Sequence, residues 1–454
     1  MSRPHWSARR LPRSARGSLR DRRPDGPRAP PSRGANREKV TKVWDAVVVG
    51  AGPAGSATAA HLARAGLDVL LVDRSRFPRD KPCSEYLSPG ATPLLERLGV
   101  ADDVERSAHA KLAGMKVVSP GGAVMCGHFA AAHPYPSPRP YSYALPRTTL
   151  DGILVRAAAR AGATLREGVA VADLSRDARA VSGVVARTES GMREAVRARV
   201  VIGADGLRSV VARRLGLRCT SPPRRIAFTA HVADVRGVDG MGELHVGRSG
   251  YVGMGPIGGG VTTVALVLPL ARVRAGERWW GRGRGRDSRT AWFAELERFP
   301  GLRGRFDPRR LVREVLVTGP FAQWSRASVA DEGGALLVGD AADFFDPFTG
   351  QGIYSALRGA ELAADTVAAA LRHGGPVGRG ALAPYRRARR AAFAGKWVLE
   401  RLIGLGVGWP ALTERVVARL ARRPDLADLL VGATGNFVPA RAALAPGVLA
   451  RLLW

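Results

Sequence analysis

The chain is 454 residues long, enough for two large domains or one composite domain, and 46% of it is hydrophobic, ordinary for a globular core. Its charge is unusual: 70 Lys and Arg against 39 Asp and Glu give +31, and only six of the basic residues are Lys, so the excess is almost all Arg. No apolar run reaches the roughly 18–20 residues of a membrane-spanning helix, and Cys83, Cys126 and Cys219 form neither a CxxC pair nor a metal spacing, which excludes a disulfide scaffold and a zinc module and implies a reducing, cytoplasmic setting.

Residues 1–42 carry thirteen basic and three acidic side chains, a net +10, among many Pro, Ser and Gly. Such a segment buries too little apolar surface to offset the entropy of ordering it, so it reads as a disordered tail, or as sequence upstream of a start at Val40 or Val43. No apolar stretch follows Arg9-Arg10, which speaks against a secretory or twin-arginine signal. The Arg excess raises nucleic acid as a partner, but no RRM, KH, zinc-finger or helix-turn-helix signature accompanies it, so this is the weaker expectation.

Val43–Gly50 is a short apolar strand. A helix rich in small residues is predicted from Pro53 to Ala65, and a second apolar strand from Leu67 to Val72, ending at Asp73. Strands apolar on both faces belong to a buried parallel sheet, so this is a βαβ opening. A polar, Pro-containing stretch (Arg74–Gly90) leads to a helix near Thr92–Leu98. Short strands broken by Gly and Pro follow from Lys111 to Tyr143, with residues 134–143 an extended loop. A helix is predicted over Thr148–Ala161, alternating strand patterns to Ile202, Gly-rich strands over 224–268, and a charged loop over Gly281–Arg286. Ala335–Val338 is another buried strand and Ile353–Arg372 a long Ala-rich helix. From Ala381 onward apolar residues recur at three- and four-residue spacing, a helical pattern.

Three motifs punctuate these elements. Gly50-Ala51-Gly52-Pro53-Ala54-Gly55 sits between strand and helix, where glycines let the chain turn and bring its backbone against a pyrophosphate lying on the helix N-terminus. Asp73, 23 residues beyond Gly50, is placed to accept bonds from an adenosine ribose; an acid there repels a 2′-phosphate, favouring FAD or NAD over NADP. Val200–Gly206 and Leu337–Ala342 each put an Asp, Asp205 and Asp340, just beyond a buried strand, poised for sugar-like hydroxyls. Asp346-Pro347-Phe348-Thr349-Gly350-Gln351-Gly352 follows the latter and opens a long helix, whose first amides would stabilise negative charge on a reduced flavin.

GxGxxG, GADG and GDAA with a downstream DPxTGxG, in this order over about Val43–Arg372, resemble the para-hydroxybenzoate hydroxylase-like flavoproteins, which include aromatic-ring hydroxylases, geranylgeranyl reductases and flavin halogenases. The resemblance implies an α/β fold: a Rossmann-type FAD-binding domain from 43–112, 147–219 and 321–372, an inserted, mostly antiparallel β-sheet substrate domain from 113–146 and 220–320, and a helical C-terminal region, 373–454. It further implies that Gly50, Gly52, Gly55 and Asp73 hold the ADP part of FAD, and that Asp205 and Gly206 lie where FAD meets a transient nicotinamide. Gly339 and Asp340 would bind the ribityl chain, Pro347, Gly350, Gly352 and Ile353 would flank the isoalloxazine, and Arg147, in Arg147-Thr148-Thr149-Leu150-Asp151, would lie near the flavin.

Phe77–Glu85 resembles the FPRxKxCG segment of geranylgeranyl reductase-like oxidoreductases, with Ser84 in place of Gly, and Gly250-Tyr251 and Pro256 resemble their strand across the flavin. Trp279-Trp280 lacks the halogenase Trp-x-Trp-x-Ile-Pro spacing, and Asp343 stands where many ring hydroxylases carry His. The expected protein is an FAD-dependent oxidoreductase reduced by transient NADH or NADPH. It would act as a monooxygenase on a small hydrophobic aromatic, polyketide or quinone-like molecule or, alternatively, saturate isoprenoid double bonds. Cys83 and Tyr251 are the candidate catalytic residues, the former more simply an inert buried thiol; His231, His245 and Trp324 are further candidates for the pocket wall. The C-terminal helices, 396–454, are expected to pack on the domains, with peripheral contact to an inner membrane face as a second use of their Arg-flanked apolar faces.

Overall fold

The computed structural model describes residues 42–130, 134–177, 180–248, 250–274 and 288–453; the basic tail through residue 41, Trp279-Trp280 and the Gly281–Arg286 loop lie outside them. The apolar opening strand forms as Val43–Val49 and is flanked in parallel by Val69–Asp73 and Arg193–Gly203, so that Val48 lies between Leu71 and Ile202. Thr164–Glu167 and Ala335–Leu337 extend the parallel part on either side. The amino end of the long Arg193–Gly203 strand instead pairs with the antiparallel hairpin Ala170–Arg176 and Val181–Arg187.

Both faces of the parallel strands are buried, which is why these sequences read as continuous apolar runs. One face is covered by the helices Pro53–Arg64, Arg147–Arg160 and Gly352–Leu371, whose Ala-rich surfaces allow close approach. The carboxyl ends of the strands release the chain at one edge, at Gly50, Asp73, Ala204 and Val338. In open parallel sheets this is the edge where ligands bind.

The second sheet is ordered Leu311–Thr318, Arg225–Ala233, Val261–Pro269, Gly250–Gly258, Gly242–Gly247, Gly114–Val118, Val124–His128. It is antiparallel except where Gly242–Gly247 runs beside Gly114–Val118 in parallel. Its outer face is sealed by Trp292, Phe293 and Leu296 against Phe228, Val252 and Leu266. Its inner face, with Val117, Met125, Tyr251 and Val267, looks toward the C-terminal helices.

Those helices are Arg379–Gly406, Pro410–Ala421, Pro424–Thr434, Ala440–Ala443 and Pro446–Leu453. Three begin on a proline, whose missing N–H costs nothing in the first turn. The stretch predicted as an extended loop ends in a strand, Ser142–Ala144, because Tyr143 and Ala144 pair with Leu87 and Tyr86. Among the described residues no helix is long and apolar enough to cross a membrane.

Candidate active site at the carboxyl edge of the parallel sheet

Gly50 takes φ +99, and a Cβ there would lie 2.6 Å from the Ala204 carbonyl oxygen; at Gly55 a Cβ would lie 1.7 Å from the oxygen of Gly50. Gly55 lets the helix touch the end of its strand, and Gly50 lets that end touch the neighbouring strand's. Gly52 is different, since a Cβ would meet nothing nearer than the Arg79 guanidinium at 3.6 Å. Its missing side chain keeps open the space over the helix N-terminus. That terminus has no side-chain cap although Pro53, Ala54 and Gly55 are buried, so its first amides are available to an anion.

Asp73 accepts from the Ala51 and Ser75 amides through separate oxygens, each at 2.8 Å. A carboxylate has about four acceptor positions, so it retains capacity for a ribose hydroxyl. Beside it, Arg147 grips the fully buried Asp151 in a two-pronged pair, both bonds 2.8 Å, and Arg79 reaches the same carboxylate at 3.1 Å. Burial alone would lower the Arg147 pKa, but Asp151 and Cys83 together outweigh it and hold the guanidinium above its ordinary range. Arg79 also reaches Asp73 at 4.0 Å, so the two guanidinium groups are shared between two carboxylates and fix their positions at this side of the site.

At the other end Gly339, with φ +62, turns the chain after Leu337 and delivers Asp340 to the cavity, where it has no hydrogen-bond or ion-pair partner among the described residues. Lys81 also lines the cavity, and its ammonium has no hydrogen-bond or ion-pair partner among the described residues. Burial, with Arg147 next, pushes its ammonium below the usual lysine range, against the pull of Asp340. Gly350, with φ +65, closes the Pro347–Thr349 turn, and the Gly352–Leu371 helix then starts without a side-chain cap. Gln351 at that start donates elsewhere, to the carbonyls of Ala433 and Thr434 at 3.2 and 3.1 Å. Gly352 and Ile353 therefore present uncapped amides at the cavity wall.

The Asp346–Gly352 loop is fixed by a buried cluster. Asp346 accepts from Arg225 Nη1 and the Tyr251 hydroxyl, each at 2.6 Å, and from the Phe348 amide at 3.0 Å; Arg225 also reaches the Gly404 carbonyl at 2.8 Å. Burial first, then the Asp346 charge, raises the Tyr251 pKa well above the tyrosine norm, so it stays a phenol. One cluster thus ties the loop to two strands of the second sheet and to the Arg379–Gly406 helix.

The cavity, about 610 Å³, does not end at this loop. It continues past Tyr251 and Phe348 between the second sheet and the C-terminal helices, walled by Leu399, Ile403, Val407, Val416, Leu430 and Leu449. The sheet side is opened by Gly253 and Gly255, where a Cβ would meet nothing nearer than Leu244 at 3.4 Å and Leu112 at 3.5 Å.

Of the residues singled out from sequence, Gly52, Arg147, Gly206, Asp340, Pro347, Gly350, Gly352, Ile353, Cys83 and Tyr251 line this one cavity. Cys83 is half-buried, not sequestered, and interacts with Arg147. Asp205 is turned away: it caps the Val210–Arg214 helix, accepting from the Ser209 hydroxyl and Val210 amide at 2.6 Å, and leaves Ala204 and Gly206 to form the wall.

Three pocket-wall candidates are corrected. His231 is hydrogen-bonded to Glu85 at 2.6 Å and His245 to Glu243 at 2.8 Å, both buried, and Trp324 is 38% exposed on the short middle strand of a separate three-stranded sheet. Lys81 and Arg225 were not picked out as site residues, although Tyr251 was a candidate and Asp346 opens one of the motifs. Lys81 lies in the quoted FPRDKPC segment and could have been; nothing local marks Arg225.

A family model described as an FAD binding domain matches residues 43–398. The chain is 33% identical over 336 residues to a menaquinone reductase of Mycolicibacterium smegmatis, covering 71% of this chain and 75% of that protein. It is 31% identical over 345 residues to digeranylgeranylglycerophospholipid reductase 1 of Methanothermobacter thermautotrophicus, covering 74% and 79%. In fold it is similar to a flavoprotein/dehydrogenase from Cytophaga hutchinsonii, with a TM-score of 0.77 at 20% identity over 90% of this chain and 96% of that one. The open space over Gly52, the uncapped helix starts and the unpartnered Asp340 fit FAD chemically: an anion cradle at one end, a hydroxyl-binding acid in the middle, amides for an electron-rich ring at the other. The chain belongs to the FAD-binding-domain family, within the para-hydroxybenzoate hydroxylase-like flavoproteins, and is an FAD-dependent oxidoreductase.

Proposed function

We propose that this oxidoreductase saturates carbon–carbon double bonds in the isoprenoid chain of a lipid or quinone, with NADH or NADPH as the transient electron donor. The observation that carries the reading is the continuity of the cavity, one space running from Gly52, Asp340 and Gly352 to Leu412, Val416 and Leu449. Each methylene withdrawn from water along such a wall contributes about 0.8 kcal/mol, so a flexible hydrocarbon gains most from it. The relatives named for menaquinone and for digeranylgeranylglycerophospholipid reduction point the same way. Asp343, where ring hydroxylases carry His, is paired with Arg389 and lines a separate small cavity.

In this reading Gly50–Gly55 and Asp73 hold the ADP part of FAD, Asp340 and Lys81 the ribityl and phosphate region, and Pro347–Ile353 the ring. Bound there, FAD supplies hydride transfer. Arg225, Asp346 and Tyr251 position the loop that meets the ring. Tyr251 commits its proton to Asp346 and lines the cavity beside Phe348. Cys83, which opens onto the cavity beside Arg147, delivers the proton that completes saturation. The test is donor oxidation under nitrogen: geranylgeraniol in detergent should stimulate NADH or NADPH consumption several-fold in wild type and far less in Cys83→Ala. Consumption that needs oxygen and ignores the isoprenoid would overturn the reading.

A further inference from the structure

Of the ten large hydrophobic side chains exposed among the described residues, four lie within twelve residues of one another: Val398, Leu402, Leu405 and Trp409, at 49, 50, 57 and 65% exposure. Their spacing of four, three and four residues makes them one stripe along the carboxyl half of the Arg379–Gly406 helix, continued by Trp409 at the turn beyond it. A neighbouring face of the same helix, with Leu399, Ile403 and Gly406, walls the cavity. Leu402 belongs to both, half-exposed outside and lining the cavity inside, so the apolar stripe borders the cavity's mouth.

The surroundings are cationic. Residues 386–422 hold nine Lys and Arg against two acids, Glu400 and Glu414. Glu400 is engaged by Lys396 at 2.9 Å, and Glu414 accepts from the Gly121 amide at 2.6 Å. Arg390, Arg401 and Arg415 are exposed. Exposed aliphatic residues, a Trp at the edge and an Arg fringe form the pattern of a helix that lies in the boundary between headgroups and acyl chains. A patch meeting a protein surface would not need a charge of one sign around it.

We propose that this stripe is a docking surface for an anionic lipid bilayer, seating the cavity's mouth at Leu402 in the acyl boundary so that an isoprenoid chain passes from bilayer to flavin without crossing water. The proposal rests on the isoprenoid reading above for its purpose, but not for its detection. The full-length FAD-loaded protein is floated with phosphatidylcholine vesicles, with and without phosphatidylglycerol, and compared with Leu405→Glu/Trp409→Glu. Neither of those residues lines the cavity, and the basic residues 1–42 are common to both proteins, so the difference reads the stripe alone.

Wild type is expected to float with the anionic vesicles and the double variant to partition at least tenfold less. The two should reduce detergent-dispersed geranylgeraniol at the same rate. Equal flotation of the two proteins, no flotation of wild type, or a wild-type dimer that the variant dissolves would each overturn the docking surface. A flotation difference in proteins that both leave geranylgeraniol untouched supports the docking surface while removing the isoprenoid reading.

Discussion

Replacing Arg225 by Met removes the cation that neutralises Asp346 and the donor that satisfies the Gly404 carbonyl. Asp346 is 7% exposed and Gly404 is buried, so neither orphaned group can recover its lost bond from bulk water. Breaking a buried pair from one side costs about 3–5 kcal/mol, because the remaining charge stays buried and uncompensated. Tyr251→Phe is the graded control. It deletes one bond to a charged acceptor, about 1.5–3 kcal/mol, and the cost should fall at the low end because the Phe348 amide still donates to the same oxygen. Urea unfolding of the FAD-loaded proteins should therefore rank wild type above Tyr251→Phe above Arg225→Met. FAD retention on dialysis should fall in the same order, since the cluster fixes the Asp346–Gly352 loop. Arg225→Met with wild-type stability, or Tyr251→Phe as the more damaging change, would refute the argument.

Gly52 and Gly55 should respond oppositely to added side chains. Gly52→Val should leave the apoprotein's melting close to wild type and weaken FAD binding more than tenfold, whereas Gly55→Ala, with its Cβ 1.7 Å from the Gly50 oxygen, should destabilise the apoprotein itself; calorimetry and FAD titration separate the two. The Glu243 carboxyl is lowered to about 2: burial would raise it, but bonds from Arg305 and His245 prevail. Its contribution to stability is thus present above its ordinary 4.5 and lost as pH falls toward 2, so the acid limb of the melting profile should be shallower in Glu243→Gln. Tyr251, raised instead, contributes stability below its ordinary 10 that is lost above it; Tyr251→Phe should be relatively less impaired at alkaline pH. Val416→Trp should fill the far cavity, raising KM for long isoprenoids while sparing short ones, as a chain-length series would register.

The parts of the site legible in the sequence are those whose chemistry is local. Gly50–Gly55 and Leu337–Ala342 read correctly as strand-to-turn elements because strand, turn and helix start are adjacent in the chain; the crowding at Gly55 comes from Gly50 itself, whereas that at Gly50 comes from distant Ala204. Asp205 shows the limit: a carboxylate after a strand looks the same whether it faces a sugar or caps the next helix, and Ser209 four residues on decides it. The buried cluster is illegible, since Arg225 meets Asp346 across 121 residues of sequence and Tyr251 meets it across 95. His231 is occupied by Glu85, 146 residues away in sequence, which no local pattern records, whereas the partner of His245, Glu243, stands two residues before it on the same strand and is legible there. In the Arg379–Gly406 helix the apolar spacing is plain. Whether Leu399 or Leu402 faces a cavity depends on the helices packed beside it, which no periodicity records.

The central claim, that this cavity brings an isoprenoid chain to FAD for saturation, is tested most directly by weighing the product. The purified FAD-loaded protein, a nicotinamide donor and a geranylgeranyl lipid are incubated under nitrogen and then in air, and the lipid is analysed by mass spectrometry. The account predicts gain of a hydrogen pair per reduced bond in both atmospheres. Gain of an oxygen atom in air, with an unchanged lipid under nitrogen, would contradict it and return the protein to the monooxygenase branch.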